Sequence, residues 1–352
     1  MYKLYKFLYA ILSIQMGSQM IDAENLPVQN NNLPIYGLNN LKEDILIFSD
    51  SVECPVKGCL NKVERQRQSF KRETRFQCPT HAIFISPSTF EYNTVHQNLL
   101  WTDLHDIELL NTILIYKRES RMGRDNSEDA LTWNVFRFLH RTNTLSSFLG
   151  NLSNKDIRNP ELILWSYSPN EKAQFKLLNK ARLEFGESIS RGSEPDIIIL
   201  SGKVLYFIEA KLSAKNETTP SESNNRKAYE TGGNNLFSKI FRSDYETIAI
   251  TEKRYELMRY WLLGNWMAIQ AGLDFEFYSL VLDSREQTVA ADFDKLIVET
   301  NNRKFSRLTW EKIYSFISGL PNSHEKTIII EYFRNKTIGY DSNGHIVKAF
   351  NL

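Results

Sequence analysis

Glu194-Pro195-Asp196-Ile-Ile-Ile-Leu-Ser-Gly202-Lys203-Val-Leu-Tyr-Phe-Ile-Glu209-Ala210-Lys211 is the stretch that decides the fold. Two apolar, β-branched runs flank Gly202-Lys203, the pattern of a hairpin with a tight turn at its tip. Six residues out from that tip stand Asp196 on one strand and Glu209 on the other, so the two carboxylates oppose each other. Opposed residues on antiparallel strands have Cα atoms roughly 4.5–5.5 Å apart. Glu209 and Lys211 are two residues apart and share a face. Three ionisable groups therefore converge on one side of an otherwise apolar hairpin. Carboxylates this close repel unless a cation neutralises them, and magnesium, or manganese in its place, suits oxygen ligands. Magnesium also needs water or substrate phosphate for its remaining positions. A lysine beside it can hold a nucleophilic water or stabilise charge growing on a phosphate. The expected chemistry is metal-assisted phosphodiester hydrolysis. The plainer alternative is a surface hairpin whose Glu-Lys ion pair is worth little.

Outward from the hairpin, helical and strand-like patterns alternate. Asn126 to His140 is expected to be a helix, capped by Asn126 or Ser127, with Leu131, Val135, Phe138 and Leu139 on its apolar face. Leu162 to Tyr167 is strand-like, and Lys172 to Phe185 is helical or irregular. Ser213 to about Tyr245, rich in Asn, Ser, Thr and Gly, is expected to be a mobile loop. Glu252 to Ala271 predicts a long helix closed by Gly272, Phe275 to Leu282 a strand, and Trp310 to Ser318 a last helix. Strands interleaved with helices predict an α/β core. Tyr255 and Arg259 share a face of the long helix and receive no role; Arg191, just before the motif, could contact the scissile phosphate or be an exposed loop arginine.

All three cysteines fall in a short window, as Cys54-Pro-Val-Lys-Gly-Cys59 and, 18 residues on, Cys78-Pro-Thr-His81. Two close ligand pairs on turns, brought together by a hairpin-length insert, meet the needs of a tetrahedral zinc ion. Cys54, Cys59, Cys78 and His81 are therefore expected to bind zinc in a closed, structural site. The alternative is three buried, inert cysteines. An odd count in a chain of 352 residues argues against a disulfide framework. Between the pairs, Lys62, Arg65, Arg67, Lys71, Arg72 and Arg75 outnumber Glu64 and Glu73. This strip could follow a phosphate backbone or be an ordinary solvated face.

With 42% apolar and 24% charged residues, the chain can build a core and is not largely disordered. Its 43 basic and 42 acidic side chains exclude a globally basic binder but leave room for local patches. No apolar run approaches the roughly 20 residues of a membrane span. Met1 to Ile14 is expected to be an apolar helix rather than a signal peptide, since no clean cleavage site follows, and a cytoplasmic location is expected.

Pro195-Asp196 … Glu209-Ala210-Lys211 resembles the signature of the PD-(D/E)xK, or restriction-endonuclease-like, nuclease superfamily, over roughly residues 120 to 285. The resemblance implies a mixed central sheet flanked by helices, with Asp196 and Glu209 as metal ligands and Lys211 as the catalytic lysine. It implies also that the backbone carbonyl of Ala210 can join the metal shell. Many members carry a further acid on the first core helix; Glu128 fits, in the first turn of the helix and on the face of Leu131 and Val135, and Glu187 is its rival. Residues 1–100 are then an N-terminal region with a zinc module at about 51–92, and 101–352 a nuclease-like domain. The expected function is a metal-dependent endonuclease acting on DNA, most simply the duplex, in restriction, phage defence or repair. Duplex cutting in this superfamily commonly uses two active sites, so a homodimer or a partner subunit of a defence system is expected. The alternatives are a catalytically silent nucleic-acid-binding protein and a zinc-module interaction subunit of a larger complex.

Overall fold

The structure, a computed structural model, describes residues 35–117, 119–221 and 225–352. The expected apolar helix at residues 1–14 lies outside the described residues. In chain order the strands are β1 (Ser51–Glu53), β2 (Lys62–Glu64), β3 (Phe84–Ile85), β4 (Phe90–Glu91), β5 (Glu161–Leu164), β6 (Tyr167–Ser168) and β7 (Ala173–Gln174). There follow β8 (Ile197–Ser201), β9 (Val204–Ala210), β10 (Asp274–Val281), β11 (Arg303–Thr309), β12 (Thr337–Tyr340) and β13 (Ile346–Lys348).

The expected hairpin is present as β8 and β9, in the anticipated register: Ser201 pairs with Val204 across Gly202-Lys203, and Ile197 pairs with Ile208. Gly202 takes a left-handed φ of 50° at the tip, which suits a residue without a Cβ. Around this hairpin a seven-stranded sheet runs in the order β11-β10-β9-β8-β5-β6-β7. β9, β10 and β11 are parallel, whereas β8, β5, β6 and β7 continue antiparallel. The fold is α/β with a mixed central sheet flanked by helices.

Strict alternation distributes the sheet's side chains between two apolar layers. Tyr206, Ile208 and Ala210 pack with Leu131, Val135 and Phe138 of the Glu128–Arg141 helix. Leu205 and Phe207 pack on the other side with Leu257, Met258 and Trp261 of the Tyr255–Ala271 helix. Glu209 therefore lies under the second helix, not the first. That helix sits close because Gly264 faces the Phe275 ring, where a Cβ would come within 2.0 Å of a ring atom. Gly272, φ 66°, ends it in the left-handed C-cap expected from the sequence.

Three expectations need correction. The polar stretch after Ser213 contains a helix at Arg226–Asn235 and another at Phe237–Ile240, because Tyr229, Leu236, Phe237 and Ile240 are buried in the second layer. At the end of the first of these, Gly233, Asn234 and Asn235 take left-handed conformations that kink the chain before the second, which explains the loop-like composition. Trp310–Ser318 is not the last helix: His324–Asn335 follows, and then β12 and β13 pair antiparallel. The strand expected at 162–167 breaks at Trp165 and Ser166, both at positive φ, into β5 and β6. The described residues form one compact unit, in which Tyr340 of β12 stacks on Phe90 at 5.3 Å and joins the core around the cysteines.

Candidate active site and metal centre

The cysteine cluster assembles from two turns. β1 and β2 are antiparallel, with Glu53 opposite Lys62, and the segment joining them carries Cys54 and Cys59. Gly58 turns this segment at φ 76°, and the Cys59 N–H closes the turn on the Val56 carbonyl at 3.1 Å. The second turn follows a 3-10 helix at Thr74–Phe76; the Cys78 N–H donates to Ile83 O at 2.9 Å, and Ala82 N–H to Cys78 O at 2.8 Å. The hairpin thus brackets the first ligand pair; the insert between the pairs is not itself a hairpin. Ligand atoms of Cys54, Cys59, Cys78 and His81 all lie within 4.8 Å of one another, so the cluster could hold a metal ion such as zinc. Tetrahedral zinc with Zn–S of ~2.3 Å and Zn–N of ~2.0–2.1 Å sets S···S near ~3.8 Å and S···N near ~3.6 Å. Cys59 and Cys78 sulfurs stand 3.8 Å apart, and His81 Nδ1 stands 3.6 Å from both Cys54 Sγ and Cys78 Sγ. The match extends to the choice of Nδ1 as the imidazole ligand atom.

The basic strip beside this cluster is largely engaged. Arg72 pairs with Glu91, Arg75 with Glu64 at 3.0 Å and Glu73 at 2.7 Å, and Arg65 donates to Phe48 O at 3.2 Å. Lys62 lies over the Phe48 ring. Several of these charges thus have partners within the module, although the Arg72 and Arg75 side chains remain exposed.

The carboxylate site lies at the C-terminal end of β9, where the sheet changes from parallel to antiparallel neighbours; open α/β sheets commonly bind ligands at such switch points. Asp196 sits just before β8, its Oδ1 accepting from Trp165 Nε1 at 3.2 Å and its Oδ2 from the Ala210 N–H at 2.9 Å. Glu209 is buried at 4% exposure. Its Oε1 receives the Lys211 ammonium at 2.6 Å, while its Oε2 is buried with no hydrogen-bond partner. Glu256, in the first turn of the Tyr255–Ala271 helix, takes the same ammonium at 2.8 Å. On the far side of Asp196 a second buried lysine, Lys117, pairs with Asp129 at 3.1 Å and Glu194 at 3.9 Å and covers the Trp165 ring at 4.7 Å.

Burial dominates the electrostatics. It pushes the Asp196 carboxyl up to about 7, against the pull of Lys211 and Lys117 and with the help of Asp129. Burial and then Asp196 raise Glu209 well above the carboxylate range. Burial works against the charge on Lys211, but Glu209, Glu256 and Asp196 together raise it well above the usual lysine value, so it is an ammonium. Burial thus disfavours the charged form of both acids, and one buried oxygen of Glu209 has no hydrogen-bond partner.

Asp196, Glu209, Lys211 and the backbone of Ala210 are thus brought together. Glu128 is not on the sheet face of Glu209; its Oε1 accepts from the backbone N–H groups of Leu212, Ser213 and Ala214. Among the described residues, the Cys–His cluster alone gathers three or more Cys, His, Asp or Glu ligand atoms within 4.8 Å, so Glu128 does not close such a set with Asp196 and Glu209. Glu187 is elsewhere again: buried, it accepts from Ser193 Oγ at 2.7 Å and Tyr229 OH at 2.9 Å, and pins the 187–193 segment beside Arg182. Tyr255 and Arg259 belong to that network, Arg259 lying over the Tyr255 ring at 4.7 Å and 4.0 Å from Glu187. No family model, no curated protein and no solved structure matches the chain.

Sequence reasoning missed Glu256, Asp129 and Lys117. Glu256 carries no distinctive signal, because acids are common in the first turn of any helix. Asp129 adjoins Glu128 in the same turn, and spacing alone does not decide which of two neighbours faces the site.

Proposed function

We propose that the chain is a metal-dependent endonuclease of the PD-(D/E)xK kind, hydrolysing phosphodiester bonds of DNA in restriction, phage defence or repair. The observation that carries this is that Asp196 and Glu209 stand one residue beyond the last ladder pair, Ile197–Ile208, with Asp196 bonded to the Ala210 N–H, Lys211 one pleat further and a buried oxygen of Glu209 unpartnered. A mixed sheet with helices on both faces, and a motif that follows one helix and precedes another, fits the restriction-endonuclease-like fold.

Asp196 and Glu209 would hold magnesium or manganese, whose chemistry when bound is Lewis-acid stabilisation of the phosphate and of a water nucleophile. Lys211 enters as a cation. Held between Glu209 and Glu256, it can orient a water or offset charge on the phosphate, but it has no free pair with which to act as a base. Trp165 and Ala210 orient Asp196 through one hydrogen bond to each oxygen, leaving each oxygen a further lone pair. Zinc on Cys54, Cys59, Cys78 and His81 would be structural, since four protein ligands leave no open position. Duplex DNA is the proposed partner, with a homodimer or a defence-system partner subunit as the assembly, in the cytoplasm.

The doubly paired Lys211 also favours one rival, a silent nucleic-acid binder whose ion pairs are purely structural. The test incubates purified protein with plasmid, linear DNA and single-stranded RNA, in magnesium or EDTA, beside Lys211→Ala and Asp196→Ala. Magnesium-dependent DNA cutting that both variants lose is expected. Gel shifts without cutting would replace the enzyme by the binder.

A further inference from the structure

The Glu128 carboxylate occupies a cradle of three successive amides. Leu212, Ser213 and Ala214 donate to its Oε1 at 2.8, 3.1 and 3.1 Å. Consecutive backbone N–H groups converging on one point form a concave anion site, and here the chain fills it from its own helix. The helix does not need Glu128 as a cap: Ser127 Oγ already accepts from Ala130 N–H at 3.1 Å. The cradle begins at the residue immediately after Lys211. Lys211 itself is fixed on the other side, its N–H donating to Leu280 O at 2.7 Å and its carbonyl accepting from Trp310 Nε1 at 3.1 Å. Without the carboxylate these three amides would lose their described acceptor, leaving the Leu212 side chain, buried in the core with Leu131 and Val135, as the tie between this segment and the Glu128–Arg141 helix.

We propose that Glu128 is a positioning residue, a latch that fixes the strand end bearing Lys211, and that the acid this helix turns toward Asp196 is Asp129. The two neighbours divide the work. Glu128 reaches past the end of the sheet to backbone, while Asp129 is held at 3.1 Å by Lys117, whose Nζ is also 4.7 Å from the Trp165 ring centroid beside Asp196. The catalytic consequence rests on the nuclease reading; the latch itself does not.

Three measurements on the full chain separate the possibilities, with Glu128→Ala and Glu128→Gln compared with wild type. Hydrogen exchange of peptides covering 212–214 should speed up at least about 10-fold in Glu128→Ala, a loss of at least about 1.4 kcal/mol of local protection. Glutamine keeps an acceptor oxygen and should restore most of that protection. Mn2+ affinity, read by electron paramagnetic resonance, should change less than about 3-fold in both variants. Magnesium-dependent cleavage by Glu128→Ala should fall in kcat with KM little changed, and Glu128→Gln should recover most of the rate. Unchanged exchange in Glu128→Ala would overturn the latch. So would a 10-fold loss of Mn2+ affinity in Glu128→Gln, which would make Glu128 a metal ligand. A wild type that cuts nothing would remove the nuclease reading, while exchange would still decide the latch.

Discussion

The two clusters were both legible as spacings, yet the molecule treats them in opposite ways. The cysteine–histidine cluster is made within residues 54–81, from two turns, with atom separations that match a tetrahedron around zinc. The carboxylate cluster gathers residues from three separated segments, and Lys211 occupies one Glu209 oxygen while the other is buried without a hydrogen-bond partner. A soft four-ligand site can be completed by its own chain. The magnesium site we propose for the carboxylates would leave positions for water and phosphate, so its protein ligands alone would not complete it.

The largest expected effect breaks this contrast at the thiolate end. Cys59→Ser should lose bound zinc and lower the melting temperature by more than about 10 °C, because apparent binding energies of structural zinc run to about 10–16 kcal/mol. Omitting magnesium from the buffer, with no chelator added, should leave melting nearly unmoved. Equal sensitivity of melting to both treatments would erase the distinction. Next in size, Lys211→Ala should cut magnesium-dependent cleavage by about 100-fold or more with the zinc content intact, measured by single-turnover kinetics and metal analysis.

Protonation gives a subtler comparison. A free aspartate titrates near 4, whereas Asp196 is pushed up to about 7 by burial. Its protonated form therefore favours the folded state: that stability is fully present below about pH 4 and is lost as pH rises through about 7. Asp196→Asn should raise the melting temperature at pH 8 more than at pH 5 without divalent ions, checked by calorimetry at both pH values. Mn2+ binding to wild type should weaken as pH falls below about 7, since the proton competes with the ion. The smallest effect belongs to Glu256→Gln, which removes one of two charges on the Lys211 ammonium and should lower cleavage by about 10-fold or less.

How much of this the sequence carried follows from distance along the chain. Asp196, Glu209 and Lys211 were legible because a tight turn converts residue counting into register, and β8 and β9 obey it. Cys54 to His81 were legible for the same local reason. Glu128 was expected to be an inward acid at the metal site, whereas the amides it meets belong to residues 212–214, and nothing in its own helix announces them. Glu256 and Lys117 reach the site through packing of whole helices against the sheet, which no short spacing encodes. Ser213 to Tyr245 misled because its few buried aromatics and aliphatics are scattered among Asn and Gly that turn the chain between two helices.

Anomalous scattering from a crystal grown with Mn2+ is the most direct test of a divalent-ion site at the β8–β9 strand ends. A peak in coordination distance of Asp196 and Glu209 Oε2, with the Lys211 ammonium still close by, is the result expected. A crystal with manganese elsewhere, or with Glu209 still bonded only to Lys211, would contradict it.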